Sequence, residues 1–151
     1  MSTTASERSF CRGKKCLAAG DALAALAYFE AALRLAGQEG KTAPPSYLSY
    51  YGLSLAYATG QIPEAVRACR RALKAEFYNT ELYLNLGKIY MLEGNRSAAF
   101  RTFLSGLKVE SDDPGIQREV ERMGMRRRPP FPFLSRSNPV NRVLGLLTPR
   151  Q

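Results

Sequence analysis

Three thiols, eight phenols and one adjacent pair of carboxylates are the groups in this 151-residue chain that could do chemistry. There is no histidine. The commonest general base is therefore absent, and neither a Ser-His-Asp nor a Cys-His arrangement can form. Cys11, Cys16 and Cys69 are odd in number and irregular in spacing, which argues against a disulfide framework. Cys11 and Cys16 stand five apart on an expected helix and point to different faces. Reduced thiols in a reducing compartment are the reading adopted. Without Cys-x-x-Cys spacing or histidine, no zinc site is expected. No phosphate-binding Gly-x4-Gly-Lys stretch occurs. Asp112 and Asp113 precede Pro114, so they read as a helix cap rather than an acid pair. The chain is expected not to be an enzyme and to carry no catalytic residue, metal or cofactor. What remains is recognition chemistry, carried by tyrosines, lysines and arginines.

The elements that position those residues follow from periodic punctuation. Gly20 is followed by Ala25, Phe29 and Ala32. Gly60 is followed by Ala65, Cys69 and Ala72, and Gly94 by Ala99, Phe103 and Gly106. The offsets from the glycine are five, nine and twelve in all three. A turn glycine lets the chain leave one helix at positive φ. A small residue five later lets two helices approach, and the residue four beyond it fills the same face. Helices are predicted over 6–19 and 22–36, 46–59 and 63–75, and 80–93 and 96–109. The first two turn glycines are 40 apart and the next two 34; the excess falls in Gly37–Pro45, a surface loop by composition.

The best-formed copy is Tyr83, Leu86, Gly87 and Tyr90 followed by Gly94, Ala99 and Phe103. It resembles the tetratricopeptide repeat, a helix–turn–helix unit of about 34 residues. Repeat one departs from the pattern at Ser9 and Cys16, and repeat two has its first-helix glycine, Gly52, one place early. The resemblance implies an all-α fold: a right-handed superhelix of three such repeats, at 6–36, 46–75 and 80–109. Asp113-Pro114 starts a capping helix over 114–124, completing a repeat domain over 1–124.

Residues 125–151 form a basic, proline-containing extension. Residues 1–113 carry 14 Lys/Arg against 11 Asp/Glu, and 114–151 carry eight Arg against two Glu. Pro129, Pro130 and Pro132 favour an extended segment. Val140, Val143, Leu144 and Leu147 then follow the spacing of a short amphipathic helix.

The resemblance implies a concave groove lined by the first helix of each repeat. It would take Phe10, Lys14 and Leu17, then Tyr47, Tyr50, Ser54 and Tyr57, then Leu84, Asn85, Lys88 and Met91. Tyrosines give wide contact at small rotamer cost, and Lys14 and Lys88 are placed to meet an acidic group. Tyr47, Tyr50 and Tyr57 read equally as groove or packing residues; Tyr51 and Tyr83 read as packing. Some family members clamp acidic chaperone C-termini with Lys and Asn, but those positions hold Phe10 and Lys14 here, so that partner is not expected. Arg67, Arg70, Arg71 and Lys74 share one arc of the helix over 63–75, read as a solvated outer face with a basic patch as the alternative.

In the extension, Arg126, Arg127, Arg128, Phe131 and Phe133 are candidate docking residues. The apolar side chains there need cover, from the solenoid, a partner or a membrane surface. The functional expectation is a protein–protein interaction scaffold, an adaptor or small assembly chaperone that holds a partner protein or peptide segment in the groove. The alternative is a peripheral membrane or complex-scaffold component recruited to an anionic membrane surface by the tail. Nucleic acid is not expected, because only charge speaks for it. With no signal-peptide core in MSTTASERSF and no apolar run long enough to span a bilayer, a cytoplasmic protein is expected.

Overall fold

The computed structural model describes residues 3–124. Among them are seven helices and no strand. They are α1 (Ala5–Ala18), α2 (Ala22–Gln38), α3 (Pro45–Thr59), α4 (Ile62–Ala75), α5 (Thr80–Leu92), α6 (Arg96–Val109) and α7 (Pro114–Arg122).

Local chemistry sets the helix ends. Thr4 and Glu7 form a reciprocal capping box at the start of α1. Asp21 accepts from the Ala24 amide at 2.9 Å, and Asn95 from the Ala98 amide at 3.1 Å. Pro45 and Pro63 occupy first-turn positions of α3 and α4, where a missing N–H costs nothing. Gly20, Gly60 and Gly94 adopt φ of 84°, 72° and 82° and turn each first helix into its second.

One boundary differs from expectation. α2 continues through Gly37 to Gln38. The residue that ends it is Gly40, at φ 66°, and the Lys41 amide reaches back to the Ala36 carbonyl at 3.0 Å. Of the two glycines in GQEG, only the second carries the left-handed turn, so the loop shrinks to residues 39–44.

Successive helices pair as antiparallel hairpins, α1 with α2, α3 with α4, and α5 with α6. α2 packs on α3 and α4 on α5, while α1, α3 and α5 also touch along one side. The result is an inner row of α1, α3 and α5 and an outer row of α2, α4 and α6. Ala25, Ala65 and Ala99 are fully buried where each hairpin crosses closest, beside Phe29, Cys69 and Phe103. Each buried ring removes enough apolar surface from water to contribute about 1.5–3 kcal/mol.

α7 closes the third repeat. Ile116 is fully buried, and its Cδ1 lies 2.5 Å from where a Cβ on Gly106 would sit. Asp113 caps α7 through the Ile116 amide at 2.8 Å and accepts from Thr80 Oγ1 at 2.6 Å. Burial works to raise the Asp113 pKa, but these hydrogen bonds outweigh it and hold the carboxyl below its ordinary value. The chain divides between Val120 and Glu121. Within the second unit, Gly124 takes φ 63° and donates its amide to the Glu121 carbonyl.

Candidate partner-binding groove

The inner row presents a face built from α1, α3 and α5. α3 contributes no charged side chain to it, since Pro45–Thr59 contains none. Each ionic group on this face comes from a neighbouring helix.

At one end stands an aromatic cluster. The Phe10 ring stacks on Tyr47 at 4.3 Å and 17°, and meets Tyr50 edge-on at 5.4 Å. Phe29 lies beneath both Phe10 and Tyr50, at 5.4 Å and 5.3 Å. Lys14 crosses this cluster with its ammonium 5.0 Å from the Tyr50 ring centre. It donates to Glu81 Oε1 at 3.0 Å, and the Tyr50 hydroxyl donates to the same oxygen at 2.6 Å. Burial first, then the bond to Glu81 and its charge, drive the Tyr50 pKa far upward, so the phenol stays a donor.

Further along, Lys88 faces Glu119 of α7 at 4.0 Å. Tyr57 is half exposed nearby, its pKa raised by burial and by the charge of Glu119. Beside them opens a cavity of about 370 Å³, lined by Leu17, Gly20, Ala22, Leu53, Tyr57 and Lys88. It joins the α1–α2 turn, α3 and α5 in one depression.

The groove residues expected from the sequence divide into three groups. Lys14, Leu17, Tyr57 and Lys88 lie on the open inner face, and Phe10 and Tyr50 lie half-buried beneath it. Tyr47 and Asn85 do not belong to the accessible face: they are 4% and 2% exposed. Tyr47 is covered by Phe10. Asn85 points into the interior, where its Nδ2 donates to Ser49 Oγ at 3.1 Å. Ser49 Oγ in turn lies 3.7 Å from Cys69 Sγ, which donates to the Ser49 carbonyl at 3.4 Å. Burial pushes the Cys69 thiol up to about 12, so it is an unreactive packing group. Ser54 is also fully buried, and its hydroxyl has no hydrogen-bond partner among the described residues. The cause is shared: α3 and α5 are each packed on several sides, so only a narrow stripe of each remains for the groove. Arg126, Arg127, Arg128, Phe131 and Phe133 lie outside the described residues.

Two carboxylates on this face, Glu81 and Glu119, are not among the groove residues expected from the sequence. Both lysines expected to await an acidic ligand already face a carboxylate of the same chain. A signal for Glu81 existed, because it stands one helical turn before Leu84 on the face already assigned to the groove.

Among the described residues, no group of three or more His, Cys, Asp or Glu side chains is placed to hold a metal ion. No described helix is long and apolar enough to cross a membrane.

No family profile matches the chain, and no curated protein does. Solved structures do. The TPR domain of Arabidopsis OM64 superposes with a TM-score of 0.62 at 18% identity, over 80% of this chain and 94% of that one. The Sgt2 TPR domain from Aspergillus fumigatus superposes with a TM-score of 0.59, also at 18% identity, over 93% of this chain and 95% of that one. The fold is that of a tetratricopeptide-type, all-α helical repeat.

Proposed function

We propose that this chain, an all-α helical-repeat protein, is a non-enzymatic protein–protein interaction module that takes an apolar partner segment on its inner face, as an adaptor or small assembly chaperone. The observation that carries the reading is the inner-face cavity between Leu17, Leu53 and Tyr57, set beside lysines that already face Glu81 and Glu119. An acidic peptide gains little here. To bind Lys14 it would have to displace a carboxylate that also holds the Tyr50 hydroxyl, exchanging one ion pair for another. An apolar side chain entering the cavity meets Leu17, Leu53 and the Tyr57 ring, a rigid wall with a polar rim, while Lys88 at its edge keeps its partner Glu119.

Selection of twelve-residue peptides displayed on phage against the full chain tests this. Enriched peptides are expected to be apolar and low in charge, with affinity nearly independent of salt. A Leu17→Ser, Tyr57→Ala double variant should retain its helical circular dichroism and bind those peptides at least about tenfold more weakly. Undiminished binding by the folded double variant would place the site elsewhere.

A further inference from the structure

The outer row differs from the inner one in a way the groove does not use. α4 carries Arg67, Arg70, Arg71 and Lys74 against a single Glu64, and α6 carries Arg96, Arg101 and Lys108 with no acid. Seven cations against one carboxylate is an excess of six on two helices. The chain through Gly124 holds 16 Lys/Arg and 13 Asp/Glu, a net of +3, so everything in it outside α4 and α6 sums to −3. All seven cations are exposed. Arg67 pairs with Glu64 at 2.5 Å, and Arg70 donates to the Tyr90 hydroxyl at 2.7 Å while keeping its charge. Arg71, Lys74, Arg101 and Lys108 make no ion pair among the described residues.

Aliphatic side chains interrupt these charges. Leu104 is 40% exposed and Val109 42%, both on α6. Leu104 stands three residues after Arg101 and four before Lys108, on the same exposed stripe. No aromatic side chain is exposed on α4 or α6 themselves; the nearest exposed rings, Phe77 and Tyr78, stand on the loop after α4 and meet each other edge-on at 5.6 Å. A purely acidic protein surface would satisfy the cations and leave Leu104 wasted. The combination of like charge, interleaved aliphatic residues and outward-facing helices fits one kind of surface best.

We infer that the outer faces of α4 and α6 dock on an anionic phospholipid bilayer. Arg71, Lys74, Arg101 and Lys108 meet the headgroups, and Leu104 and Val109 reach the boundary of the acyl region. The docked protein keeps its inner face turned away from the lipid, open to the partner segment. This site is independent of the groove: either one stands if the other fails.

Sedimentation of the full chain with vesicles is the test. Binding is expected to vesicles of phosphatidylcholine containing phosphatidylserine, and not to phosphatidylcholine alone. Each cation near such a surface contributes about a fivefold gain, so a Arg71→Ser, Lys74→Ser, Arg101→Ser, Lys108→Ser variant should bind at least about a hundredfold more weakly. An Arg71→Lys, Arg101→Lys variant should bind as wild type, and Leu104→Ser should lose a few-fold. A second set, Arg126→Ser, Arg127→Ser and Arg128→Ser, separates this face from the tail. The inference is overturned if the natively helical quadruple variant still sediments while the tail variant does not, if wild type ignores phosphatidylserine, or if a single-stranded oligonucleotide or a poly-glutamate peptide competes the protein off the vesicles while binding more tightly.

Discussion

Repeat two and repeat three solve the same packing problem with opposite materials. In repeat three the large ring of Phe103 fills the space between α5 and α6, and Gly87 leaves room for it. Repeat one does likewise with Phe29 and Gly13, where a Cβ would come 2.7 Å from the ring. Repeat two has Cys69 instead. The smaller side chain lets α3 slide onto the backbone of α4, and its glycine faces a carbonyl: a Cβ on Gly52 would lie 2.8 Å from the Ala65 oxygen. The one-place shift of Gly52 in the sequence is the mark of that closer crossing. Beside this crossing runs the buried Asn85–Ser49–Cys69 chain of polar contacts, which ties α5 to α3 and α4. A solenoid can thus exchange a ring for a thiol at one repeat without losing its period.

Four substitutions break or sharpen this contrast. The largest effect is expected from Phe103→Ala, which should cost about 4 kcal/mol in urea unfolding because α5 and α6 cannot collapse on the cavity. Cys69→Phe tests the reverse. Restoring the ring where α3 has already closed in should cost about 2–3 kcal/mol through overpacking, rather than stabilise the repeat toward its neighbours' pattern. A stabilised Cys69→Phe protein would show that the close crossing is not fixed. Ser49→Ala should cost about 1–2 kcal/mol, since it strands the Asn85 amide in the interior.

Asp113→Ala is the mildest, at about 1 kcal/mol near neutral pH. Its pH dependence carries the information. The folded-state pKa of Asp113 lies below its unfolded value, so its stabilisation is complete above the unfolded pKa and disappears as pH falls through the folded one. The wild-type and Asp113→Ala unfolding midpoints should therefore converge in acid, below about pH 4. Parallel curves there would assign the loss to packing around Thr80 instead.

The repeat architecture was legible because it rests on residues that act within one hairpin. A glycine at positive φ, a small residue five later and a ring nine later are local requirements, and they recur at fixed offsets. The groove was only half legible. Lys14, Leu17, Tyr57 and Lys88 are accessible on the inner face, where the repeat resemblance places the first helix of each repeat. Tyr47 and Asn85 were misplaced because spacing tells which residues share a face, but not how much of that face a third helix covers. The Lys14–Glu81 pair joins residues 67 apart in the chain, a distance over which no local periodicity speaks.

That pair has a consequence for cooperativity. In a linear array each unit touches its neighbours only, so stability is a sum of unit and nearest-neighbour terms, and the ends can fray independently. Lys14 belongs to the first repeat and Glu81 to the third, with Tyr50 of the second bound to the same oxygen. One carboxylate therefore reports to all three units at once. An exposed pair of this kind is worth only about 0.2–1 kcal/mol. It is nevertheless a next-nearest-neighbour coupling, which closes a three-membered chain into a loop of interactions. Anything that pulls Glu81 away, whether a partner's cation or high salt, loosens both ends of the array together.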